Sequence, residues 1–297
     1  MGDVESEDED YTRVTISTII GVSILILLYL LFSDLTQNVA ERADSFSSSS
    51  WLIFLYRFVC FIVCGYAIVY MFRCGPGNMH VVNLKDNSDV LLHPLGKEKF
   101  VTFSSWTLLA CTGYFLLSLV SQIQSSLNFN QTSWLPSLQT ALFCIGISMA
   151  FQTATVVRYI ILPNMVKNNN SHNHMFLYHE QIMHNFTAIF LMFEMLMVQP
   201  NLSPQFALFG LLIGIAYVAF AYAVAYFGGG YFVYSFLHPK PKIAPVFAVG
   251  LASSIAVFYL GIWVLSSIND SFIWLSVIIS TLWLALIVQF RPSPNLS

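Results

Sequence analysis

Two stretches of this chain place a reactive side chain just inside a long apolar run. Gly96–Ser104 reads GKEKFVTFS and carries Thr102, and Met183–Met195 reads MHNFTAIFLMFEM and carries His184. A hydroxyl and an imidazole are the parts of a nucleophile and its general base, because histidine titrates near neutrality and can take the proton an attacking alcohol sheds. Each residue also has a structural reading. A threonine in an apolar helix ordinarily bonds back to the carbonyl one turn earlier. A histidine there can be a packed, hydrogen-bonded core residue, although ionisable groups at membrane depth more often serve a site.

Other polar residues interrupt the apolar runs. Glu194 lies ten residues beyond His184, or about 15 Å deeper along a helix; a carboxylate at that depth must be protonated, paired or next to water. Arg158, near the end of the fourth run, either reaches lipid headgroups on its apolar stem or holds a substrate carboxylate. Arg57 reads as another snorkelling side chain, and His179 and Glu180 as solvated interfacial residues. Gly228, Gly229 and Gly230 end the sixth run. They stop the helix, and the freed amides of Gly229 and Gly230 could also receive an anion or oxyanion. His179 and His184 are five apart, about 140° on an α-helix, unlike the pair of a zinc protease. No metal or cofactor is expected: the chain has no GxSxG elbow, phosphate-binding loop or dinucleotide fingerprint.

The elements that must carry these residues follow from composition. The chain has 297 residues, 57% of them hydrophobic and only 9% charged, too few charges to solvate a globular surface. The fold class is all-α, a polytopic helical membrane protein. About eight spans are expected, at 13–33, 51–72, 100–124, 135–162, 178–199, 205–227, 244–266 and 271–291, each near the ~20 residues a bilayer core requires. Loops on one side carry Arg13, Arg73, Lys85, Lys97, Lys99, Lys167, Lys240, Lys242 and Arg291, against Arg42 on the other. The positive-inside rule therefore puts both termini in the cytoplasm, and Thr102 and His184 both in the cytoplasmic leaflet. The membrane itself is that of the endoplasmic reticulum, another endomembrane or the plasma membrane. In the 73–99 loop, MHVVNL and SDVLLH suggest interfacial segments or a small hairpin. The net charge of −3 gives no footprint for nucleic acid. The five cysteines form no framework and read as buried thiols.

Four segments, in order, resemble the androgen-induced-gene family, which includes the androgen-dependent TFPI-regulating protein. These are Glu98-Lys99-Phe100-Val101-Thr102, Arg158 with Pro163, Met183-His184-Asn185 with Glu194 ten residues on from His184, and Tyr226–Tyr234 (YFGGGYFVY). The resemblance covers about residues 51–266. It implies a six-helix core acting as a hydrolase of fatty acid esters of hydroxy fatty acids, with Thr102 as nucleophile and His184 as its histidine, and a membrane lipid as substrate. It divides the chain into an acidic tail (1–12), an extra helix and luminal loop (13–50), the core (51–266) and an extra C-terminal helix and tail (267–297). The chain departs from the family pattern at Gln181, where the family has a second histidine, at Asn185, where it has threonine, and in lacking the family's tryptophan. The related rolling-stone family has a similar membrane core, and the resemblance to it implies the alternative, a non-enzymatic scaffold or fusion and adhesion protein.

Overall fold

The computed structural model describes residues 10–127 and 134–291. Most of the acidic tail and the last six residues lie outside that range. Among the described residues seven helices are long and apolar enough to cross a membrane. They are α1 (Thr12–Phe32), α3 (Trp51–Arg73), α4 (Phe103–Ser126), α5 (Leu135–Lys167), α6 (Tyr178–Val198), α7 (Pro204–Phe227) and α8 (Ala244–Ser271). A short amphipathic helix, α2 (Leu35–Arg42), lies between the first two. The protein is an all-α polytopic membrane protein. Helix α5 is the central column, with 72% of its apolar stretch buried, whereas α1 is peripheral at 6%. Small residues set the closest approach of α7 to α8: a methyl group on Gly210 would lie 2.5 Å from Ile255, and one on Gly214 at 2.9 Å. That close crossing is the use membrane helices make of glycines four apart.

The expected eighth span is shorter than a full crossing. Helix α9 (Ile273–Ile287) has 15 residues, about 22 Å at 1.5 Å per residue. The chain then runs extended from Val288. Bare backbone cannot face hydrocarbon, and side chains of α5 and α6 satisfy it. Arg158 donates to the carbonyls of Ala285 (2.9 Å) and Val288 (2.6 Å), and Tyr159 to that of Leu286 (2.6 Å). The Asn185 amide donates to the Gln289 carbonyl at 2.9 Å and accepts the Gln289 N–H at 3.0 Å. Asn185 thus docks the C-terminal segment onto the core.

The loop between α3 and α4 folds as a hairpin, β1 (Met79–Asn83) with β2 (Asp89–Leu92), and β3 (Tyr231–Phe232) pairs with the free edge of β1. The register sets Val82 opposite Phe232 and Val81 opposite Val90. Gly230 makes the entry to β3 possible. Its φ is +71°, a conformation that costs an ordinary residue about 1–2 kcal/mol, and its carbonyl accepts the Leu84 N–H at 2.9 Å. The sheet closes the basic face of the bundle over the starts of α4 and α6.

Two turns widen the helices under that sheet. Val157–Ile161 in α5 and Ile182–Phe186 in α6 are π turns. Such a turn carries one residue more than an α turn and tends to occur at functional sites. The first precedes Pro163, which has no N–H to donate.

Candidate functional site

A cavity of about 220 Å³ opens under the sheet, between the start of α4, the end of α5 and the start of α6, and both Thr102 and His184 line it. Thr102 is the N-cap of α4. Its hydroxyl accepts the Ser105 N–H at 3.2 Å, and the Ser105 hydroxyl donates to its carbonyl at 2.7 Å. This capping is the usual work of a threonine one residue before a helix, and it leaves Thr102 half-buried.

The hydroxyl that meets His184 is the one two residues later: Nε2 of His184 lies 3.1 Å from Oγ of Ser104. The same nitrogen lies 3.4 Å from Oε2 of Glu180, whose second oxygen lies 3.4 Å from Nε2 of His179. The sequence reading put His179 and His184 on different faces and left His179 and Glu180 in solvent. The structure corrects both points. The π turn adds the residue that swings His184 back toward its upstream neighbour, so the two imidazoles flank one carboxylate. His179 is buried, and Glu180 is mostly buried against the cavity. Nδ1 of His174, of His179 and of His184 are buried without a hydrogen-bond partner among the described residues.

Tyr234 closes the far wall. Its hydroxyl accepts the Phe103 N–H at 3.2 Å and interacts with Ser104, and burial pushes its phenol up to about 12. It therefore stays protonated at neutral pH. Lys99, buried at the cavity edge, is spent on the C-terminus of α3: Nζ donates to the carbonyls of Met71 (3.0 Å), Cys74 (2.9 Å) and Gly75 (2.7 Å). A cation there offsets the negative end of the helix. In the loop at the cavity mouth, burial holds the His174 imidazole below its usual value, against the pull of Glu180.

The remaining candidates lie elsewhere. Arg158 binds the carbonyls at the end of α9, as described, and does not line the cavity. Glu194 is paired with Arg57, which is no snorkelling residue: the pair is 1% exposed on each side, with N–O distances of 2.7 and 2.8 Å. Tyr114 donates to the same carboxylate oxygen at 2.8 Å, and Arg57 also reaches the Phe46 carbonyl at 3.0 Å. Gly229 and Gly230 form the turn into β3 outside the cavity, and the Gly228 N–H is taken by the Val224 carbonyl at 3.0 Å. Among the described residues no group of three or more His, Cys, Asp and Glu side chains is disposed to hold a metal ion.

Ser104 and Tyr234 were passed over in the sequence, and Glu180 was read there as solvated. Ser104 and Tyr234 sit inside segments the sequence singled out, GKEKFVTFS and YFGGGYFVY. The missing information was where α4 starts, which decides the hydroxyl that faces α6. Comparison with protein-family models, with characterised proteins and with solved structures finds no match to this chain.

Proposed function

We propose that this protein hydrolyses lipid esters within the membrane, using a hydroxyl from the start of α4 and the imidazole of His184. The reading rests on one observation: a buried imidazole in hydrogen-bond contact with a hydroxyl, on a cavity that also receives Thr102. The resemblance implies Thr102 as the nucleophile and fatty acid esters of hydroxy fatty acids as the substrate class. His184 takes the hydroxyl proton as the oxygen attacks the ester carbonyl, and the imidazolium so formed lies 3.4 Å from the Glu180 carboxylate, which stabilises the charge. The ring returns the proton to the departing alcohol, and water then releases the acyl group by the same route. The basic loops support a cytoplasmic face for this chemistry.

The test is hydrolysis of a fatty acid ester of a hydroxy fatty acid by purified full-length protein in lipid nanodiscs. His184→Ala lowers kcat/KM by about a hundredfold or more, with unfolding temperature unchanged. A His184→Ala protein as active as the parent, or a folded parent without activity, ends the reading.

A further inference from the structure

A second cavity, about 100 Å³, lies deeper, among α1, α5, α7 and α8. Its surface is mostly apolar, from residues such as Val22, Val218, Ala252, Ile255 and Tyr217, with Gln152 and Thr153 among its few polar groups. Ser104, Ile161, Tyr234 and Phe236 line this cleft and the polar cavity alike. Ser104 therefore stands on the partition between an apolar space at membrane depth and a polar space at the basic face, and its Oγ is the atom that touches His184. Thr102 opens on the polar side alone, and its oxygen is engaged in capping α4.

We infer that Ser104 is the attacking hydroxyl and that the ester straddles it, with the acyl chain in the apolar cleft and the alcohol part in the polar cavity. The inference rests on the hydrolase reading and deepens it by fixing the nucleophile and the direction of the substrate. In the first step the Ser104 Oγ–H proton passes to Nε2 of His184 and an Oγ–C bond forms at the ester carbonyl. The C–O bond to the alcohol then breaks, and the imidazolium protonates the leaving alkoxide. The alcohol departs through the polar cavity. Water, giving its proton to His184, next cleaves the acyl-serine to a free fatty acid and restores the hydroxyl. The sum is ester plus water to acid plus alcohol. A deep apolar cleft on the acyl side selects a long, unbranched acyl chain, because each methylene buried there adds to transition-state binding.

The experiment labels full-length protein in nanodiscs with an alkyl fluorophosphonate and maps the adduct by peptide mass spectrometry. The expected result is an adduct on Ser104 that His184→Ala abolishes. Ser104→Ala then loses both the adduct and hydrolysis, with its unfolding temperature held. An adduct on Thr102, or a Ser104→Ala protein that still turns over, overturns the inference and leaves the hydrolase reading standing. Absence of both labelling and hydrolysis in the folded parent overturns the two together. Substrate direction has its own readout. Val22→Phe, on the peripheral helix, and Ala252→Phe narrow the cleft, so they lower kcat/KM for a palmitoyl ester about tenfold relative to a butyryl ester of the same alcohol. Equal losses for the two esters, or none, overturn the orientation.

Discussion

Arg57 and Glu194 show what a single polar residue costs inside this bundle. Removing one partner leaves a buried charge alone, so Glu194→Ala is expected to destabilise by about 3–5 kcal/mol. A combined Arg57→Met and Glu194→Leu protein recovers most of that loss. Unfolding temperatures of the three proteins in one detergent check it. Tyr234→Phe removes the hydroxyl that accepts the Phe103 N–H and touches Ser104, and on the proposed reading is expected to lower kcat about tenfold or more while KM holds. His238 provides a pH test. Its Nε2–H donates to the Leu84 carbonyl at 3.4 Å while Nδ1 accepts the Lys240 N–H at 3.3 Å, a pattern that requires the neutral ring. Burial, aided by the Lys240 charge, holds its pKa below the ordinary value, although the Leu84 carbonyl and Asp10 pull the other way. The unfolded chain then takes up a proton, near its pKa of about 6.5, that the folded one refuses. Stability should fall as pH drops from neutrality through that value toward the lower folded one, and His238→Gln should reduce the slope. At this scale the sequence exposed the kinds of residue but not their partners. Arg57 and Glu194 are 137 apart in the chain, and no local pattern says that their helices touch.

Length and hydropathy made the helices legible, because a bilayer admits few alternatives for an apolar run. The hairpin at Met79–Leu92 was legible as one of two options in its loop. Its third strand was not, since two residues after a glycine run carry no periodicity. The final helix was drawn too long because the apolar run continues into Val288–Phe290, which is not helical and becomes tolerable through Arg158, Tyr159 and Asn185. The π turns were also invisible, and they matter most for the site. Deleting one residue from Ile182–Phe186 restores plain α-helix and turns everything before it by about 100°. His179 and Glu180 then leave the cavity. Such a deletion should abolish hydrolysis and keep the helical circular dichroism, whereas deleting a residue near Leu196, past the site, should spare more activity. At the α7–α8 crossing, Gly210→Val drives a side chain into Ile255 and is expected to cost about 1–3 kcal/mol, read as a lower unfolding temperature.

The molecule as a whole has one basic face, where the sheet, the cavity and the ends of seven apolar helices meet. If that face is cytoplasmic, a membrane-impermeant maleimide added to sealed, right-side-out vesicles should miss a cysteine placed at Lys85 or Lys240 and label it once the vesicles are opened. Labelling at either position before opening reverses the orientation. Helix α1 buries only Thr15, which donates to the Pro239 carbonyl at 2.8 Å beside a Tyr11 N–H bond to Lys240 (3.1 Å). Beyond that end α1 packs on α7 and α8 and sets Ile26 and Leu30 against the core, while most of its outer side faces the surroundings. If the cleft receives an acyl tail as proposed, bilayer hydrocarbon lies just outside its α1 wall, so harsh surfactant is expected to loosen that peripheral rod first.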